Sequence, residues 1–139
     1  MKTKLFQIFL FIVTLSSLSL GQNVIVNSSN SILQLSKSTL RNIYLGNTSN
    51  WENSTQIIIT DYIASNELRI SFSEAYLNLS PKRVSMIWIK VSLSGKTIPP
   101  KVFHTEDEII KYVSENEGAI GYIASSTNLP RTIKIIQIQ

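Results

Sequence analysis

The chain has 139 residues, 43% apolar and 16% charged, with no cysteine, one histidine and a formal net charge of +4. That length and hydrophobicity predict a single globular domain and exclude two linked domains or a disordered chain. The missing cysteines exclude a disulfide framework, a thiolate metal site and a cysteine nucleophile, and a lone His104 excludes a multi-histidine metal centre.

Composition is uneven along the chain. Lys2 and Lys4 precede the apolar run Leu5 to Leu15, broken only by Gln7 and Thr14, and Ser19-Leu20-Gly21 then offers the small side chains of a signal-peptidase site. Residues 1–21 therefore read as a secretory signal cleaved near Gly21, leaving residues 22–139 as one exported, periplasmic domain. The run is shorter than the ~20 residues that span a bilayer, so no membrane span is expected after cleavage. The remaining 118 residues carry 11 basic and 9 acidic side chains, a balance that argues against nucleic-acid binding.

Asn23 to Asn27, NVIVN, predicts a strand directly after the cleavage site. Ser36 can cap a helix that places Leu40, Ile43 and Tyr44 on one face and ends at Gly46. Gln56 to Thr60, QIIIT, is a continuous apolar run of the kind found in strands covered on both faces. Ser65 can cap a second helix with Leu68, Phe72, Ala75 and Tyr76 as its stripe. Ser80-Pro81 opens a third, burying Val84, Ile87, Trp88 and Val91. A long loop over 92–105, containing Ser94-Gly95-Lys96 and Pro99-Pro100, leads to a fourth helix. Thr105 and Glu108 give that helix a capping box, and it turns Ile109, Ile110 and Val113 inward. Residues 119–124 and 133–138 are the closing strands. The expected fold class is α/β, a three-layer sandwich with a mixed central sheet flanked by about four helices.

No residue set points to catalysis. His104 follows a phenylalanine in a loop, there is no nucleophile elbow, and Glu106-Asp107-Glu108 are acidic residues of a first helical turn, where the helix dipole favours them. The chain is therefore expected to be non-enzymatic, with no catalytic residues, no metal site and no cofactor. Two features could hold a small anion. Between Glu74 and Glu106 there is no acidic residue, while Lys82, Arg83, Lys90, Lys96 and Lys101 all fall inside, so Ser94, Gly95 and Lys96 could form a partial anion nest. Ser65 and Asn66 follow an apolar strand at a helix start, where unpaired N–H groups can meet an oxyanion. Glu67 beside them opposes that charge. Solvated lysines and plain helix capping explain both features equally well.

Leu40-Arg41-Asn42-Ile43-Tyr44-Leu45-Gly46 followed by Trp51 resembles a segment of periplasmic phosphate-binding proteins, the substrate-binding components of phosphate ABC transporters. Gly118-Ala119-Ile120-Gly121-Tyr122 resembles a strand of the same family, and Ser94-Gly95-Lys96 its glycine-rich loop. Together these cover residues 23 to 125. The resemblance implies one lobe of a type 2 periplasmic binding protein, a family in which ligand sits between two lobes, and so a short, stand-alone relative. It also implies phosphate contacts at an arginine and a Ser-Gly-Thr helix start. Here only Ser65 matches: Asp61 or Tyr62 stands at the arginine, and Asn66 and Glu67 replace the glycine and threonine. The function implied is solute binding, with weak capture of phosphate or another small oxyanion. The alternative is a sensory or docking module whose former cleft face meets an envelope protein or a second copy of the chain.

Overall fold

A computed structural model describes residues 21–124 and 128–139, so the expected signal, apart from Gly21, lies outside the described residues. Six strands form one mixed sheet in the order β2-β6-β1-β5-β3-β4. The strands are β1 (Asn23–Asn27), β2 (Gln34–Leu35), β3 (Ile58–Tyr62), β4 (Lys101–Phe103), β5 (Ala119–Ile123) and β6 (Ile133–Ile138). The helices are α1 (Lys37–Tyr44), α2 (Glu67–Phe72), α3 (Pro81–Ser94) and α4 (Glu106–Glu115). Among the described residues no helix is long and apolar enough to cross a membrane.

β1 runs antiparallel to both neighbours, with Ile25 opposite Gly121 on one side and Ile135 on the other. β3 runs parallel to β4 and β5, so three carboxyl ends open on the same side of the sheet. Helix α4 covers one face and α1, α2 and α3 the other, giving the expected three layers. On the α4 face there is no room for a side chain at Gly121. A Cβ there would stand 2.5 Å from Thr60 Oγ1 and 2.8 Å from Ile109 Cγ2. The opposite face is aromatic: Tyr122 stacks on Phe72 with centroids 3.8 Å apart, and Tyr44 and Tyr62 meet Tyr122 edge-on.

The segments that resemble phosphate-binding proteins do architectural work. Trp51 Nε1 donates to the Gly118 carbonyl at 3.0 Å, tying the two strings together. A Cβ at Gly118 would lie 2.1 Å from the Gln56 carbonyl oxygen. Gly46 adopts φ +79° just past α1 and lies against Trp88 and Val91, while Trp88 Nε1 donates to the Tyr44 carbonyl at 2.8 Å.

Four local expectations change. The strand over QIIIT is displaced to Ile58–Tyr62, which brings Asp61 and Tyr62 into the sheet and leaves Gln56 in an isolated bridge to Asn50. Asn66 caps α2 in place of Ser65, because its amide oxygen reaches the Leu68 and Arg69 N–H groups at 2.8 and 3.4 Å. The second helix continues as a π-helical turn, Ser73–Leu77. The wider turn rotates the face, so Ser73 and Leu77 are buried and Ala75 is exposed. The long loop over 92–105 is shorter than expected, since α3 runs through Ser94 and β4 forms an edge strand at 101–103.

Candidate functional site

Ligands of open α/β sheets bind outside the carboxyl ends of parallel strands, where the following helices begin. A recess of about 350 Å³ occupies that place, lined by Tyr62, Asn66, Glu67, Leu68, Glu106 and Ala124. β3 supplies Tyr62, the cap and first turn of α2 supply Asn66, Glu67 and Leu68, the start of α4 supplies Glu106, and Ala124 follows β5 directly. The sequence builds this rim locally. Asn66 spends its carbonyl oxygen on the α2 cap, so its NH₂ is what it can offer a ligand. Thr105 caps α4 by accepting from the Glu108 N–H, and Glu108 returns bonds to the backbone of His104 and Thr105. These bonds hold the exposed Glu108 carboxyl below its usual range. Glu106 Oε2 accepts from the Ala124 N–H at 3.4 Å, joining α4 to β5 across the recess.

Among the described lining residues the charge is negative: two are glutamates and none is Lys, Arg or His. Burial raises the Tyr62 phenol above its ordinary range, and the Glu106 and Asp61 charges raise it further, so Tyr62 stays neutral and donates to the Tyr122 carbonyl at 2.9 Å.

A buried polar network lies behind the recess. Asp61 accepts from the Tyr62 N–H at 2.8 Å and from the Tyr122 hydroxyl. Arg69 donates to the Tyr62 carbonyl at 2.8 Å and to Ser85 Oγ at 3.1 Å. Its Nε faces Asp61 Oδ2 at 3.5 Å as an ion pair and makes no hydrogen bond. Burial pushes the Asp61 carboxyl up from its usual value, opposed by the Arg69 charge and by the bonds from Tyr122 and Tyr62. Burial likewise raises the Tyr122 and Tyr44 phenols. Sequence reasoning missed Arg69. Its signal was a basic residue beside Leu68 on the apolar stripe of α2, one turn beyond a strand carrying Asp61.

The five residues expected to bind ligand fall in two places. Asn66 lines the recess, and Ser65 is the exposed turn residue before it. Ser94, Gly95 and Lys96 form the end of α3 and line no part of the recess. Gly95, at φ +68°, donates to the Ser92 carbonyl. Ser94 Oγ donates to the Val91 carbonyl at 2.6 Å and accepts from the Lys96 N–H at 3.4 Å. Two N–H groups of the expected nest are thus spent within the helix end, where a lysine complements the dipole. His104 is exposed ahead of α4, and the described residues contain no group of three side chains that could hold a metal ion.

Solved structures share this architecture. An ABC-type phosphate transport receptor from Vibrio cholerae matches with a TM-score of 0.63 at 23% identity, over 85% of this chain and 46% of its own. A putative phosphate ABC transporter substrate-binding protein from Clostridium perfringens, solved with bound phosphate, matches at 0.64 and 20%, over 85% and 44%. PstS from Borrelia burgdorferi matches at 0.65 and 17%, over 85% and 47%. The chain has the fold of one lobe of a periplasmic binding protein. It spans less than half the length of each of these structures. No family model and no curated protein matches the sequence.

Proposed function

We propose that the protein is an exported, non-enzymatic solute-binding module of the phosphate-transport type, whose strand-end recess holds phosphate only weakly. The observation that carries the weak binding of phosphate is the charge of the recess, Glu67 and Glu106 with no cation among the described lining residues. A phosphate dianion there meets repulsion on the order of 1 kcal/mol from each carboxylate even when water screens it, roughly fivefold in Kd per carboxylate. The α2 cap compounds the effect, because Asn66 already occupies the Leu68 and Arg69 N–H groups that an anion would use. The recess suits a neutral or cationic polar solute that accepts from the Asn66 NH₂ and donates to Glu67 or Glu106. Ser65 contributes from the rim, and Ser94, Gly95 and Lys96 act outside this site.

Calorimetry with inorganic phosphate tests the reading. Wild type is expected to bind with a Kd above about 1 mM, and Glu67→Gln/Glu106→Gln at least tenfold more tightly. Lys96→Ala is expected to change nothing. Micromolar phosphate binding by wild type, or a double variant no tighter than wild type, would overturn the proposal.

A further inference from the structure

The cleft between α3 and β4 points to a second site, and we infer that it binds a small organic molecule with an apolar body and an uncharged polar head. This cleft encloses about 480 Å³, within the range of small-molecule pockets. Trp88, Ile89 and Leu93 from α3 wall one side; Pro99, Pro100 and Val102 wall the other. It is a different place from the strand-end recess, with no lining residue in common.

The cleft exists because α3 buries only Val84 and Trp88 fully and lies beside β4, the outermost strand on that side of the sheet. Leu93 is left 84% exposed, Ile89 62% and Val102 52%. Apolar side chains scattered singly over a surface need no explanation, but here they converge on one concavity. Asp61 and Arg69, both buried, form its polar floor, and Ser85 and Ser92 add hydroxyls.

The floor fixes the chemistry of the head. Buried donors are almost always hydrogen-bonded, yet Arg69 Nε has no such partner. Asp61 Oδ2, 3.5 Å away, balances the guanidinium charge without a hydrogen bond to Nε. A hydroxyl or carboxamide can accept from an arginine and donate to a carboxylate. A carboxylate or phosphate head would face Asp61 with no uncompensated positive charge to receive it. The ligand is therefore neutral at its head and apolar along α3.

Two fluorescent probes separate these properties: N-phenyl-1-naphthylamine, which is neutral, and 1-anilinonaphthalene-8-sulfonate, its anionic counterpart. The neutral probe is expected to bind saturably at one per chain, with the sulfonate at least about tenfold weaker. Leu93→Asp and Ile89→Asp change exposed residues, so their circular dichroism should match wild type while each weakens the neutral probe about tenfold or more. Glu67→Gln/Glu106→Gln should leave probe binding unchanged, which keeps this test separate from that of the recess. Non-saturable binding, equal affinity for the sulfonate, or indifference to Leu93→Asp would overturn the inference. So would a dimer in light scattering that Leu93→Asp dissociates, since the face would then belong to a second copy.

Discussion

Replacing Arg69 by methionine removes a buried cation while keeping most of the side chain's apolar volume. Three contacts disappear: the bond to the Tyr62 carbonyl, the bond to Ser85 and the 3.5 Å ion pair with Asp61. At an effective dielectric constant of 20, charges at that distance attract by about 5 kcal/mol, and breaking one side of a buried pair typically costs ~3–5 kcal/mol. A loss of that size is a large part of the ~5–15 kcal/mol that stabilises an ordinary domain and lowers Tm by roughly 10–20 °C. The cause is a stranded Asp61 carboxylate, so Asp61→Asn in the same chain should return much of the loss. The pH dependence carries a sign. Burial raises the folded-state pKa of Asp61, and losing the arginine that opposes this raises it further. The protonated form is then favoured in the folded state, so stability is gained as pH falls through the raised folded pKa toward the ordinary carboxylate range. The deficit of Arg69→Met relative to wild type should therefore shrink on acidification, and the Arg69→Met/Asp61→Asn chain should lack this dependence. Chemical denaturation followed by circular dichroism between pH 8 and pH 5 measures it. A deficit under about 1 kcal/mol at neutral pH, or no recovery in the double variant, would refute the buried-pair argument.

Two further substitutions test the packing around the site. Gly121→Ala would push a methyl group into Thr60 and Ile109, and should cost about 1–3 kcal/mol in denaturation experiments by forcing α4 away from the sheet. Tyr122→Phe keeps the stack on Phe72 but removes the donor to Asp61; the same assay should show a loss of about 1.5–3 kcal/mol.

The elements that announce themselves locally were legible in the sequence. The capping box at Thr105, the proline opening α3 and the β-branched runs of β1 and β6 each state an element through neighbours a few residues apart. β2 and β4, two and three residues long, exist only because β6 and β3 offer edges to them, which no local pattern records. The π-helical turn was hidden for the same reason, since one added residue rotates a face without changing its composition. At the site, Ser65 and Asn66 could be found because turns and caps favour their side chains. Glu106 and Ala124 join them only through the β3-β5 and β3-β4 pairings, across more than 30 residues of chain. The ion pair of Asp61 and Arg69 spans eight residues, yet Asp61 lies beyond the expected strand over Gln56 to Thr60 and enters the sheet only because β3 is displaced to Ile58–Tyr62. Conversely, Gly46, Trp51, Gly118 and Gly121, which carried the family resemblance, hold the sheet and α1 together.

Amide chemical-shift mapping of the ¹⁵N-labelled protein during a phosphate titration examines the recess most directly. A recess with reversed charge should give perturbations centred on Asn66, Glu67, Leu68 and Ala124 that saturate only above about 1 mM phosphate. Saturation at micromolar phosphate, or perturbations centred on Gly95 and Lys96 with the recess silent, would contradict it.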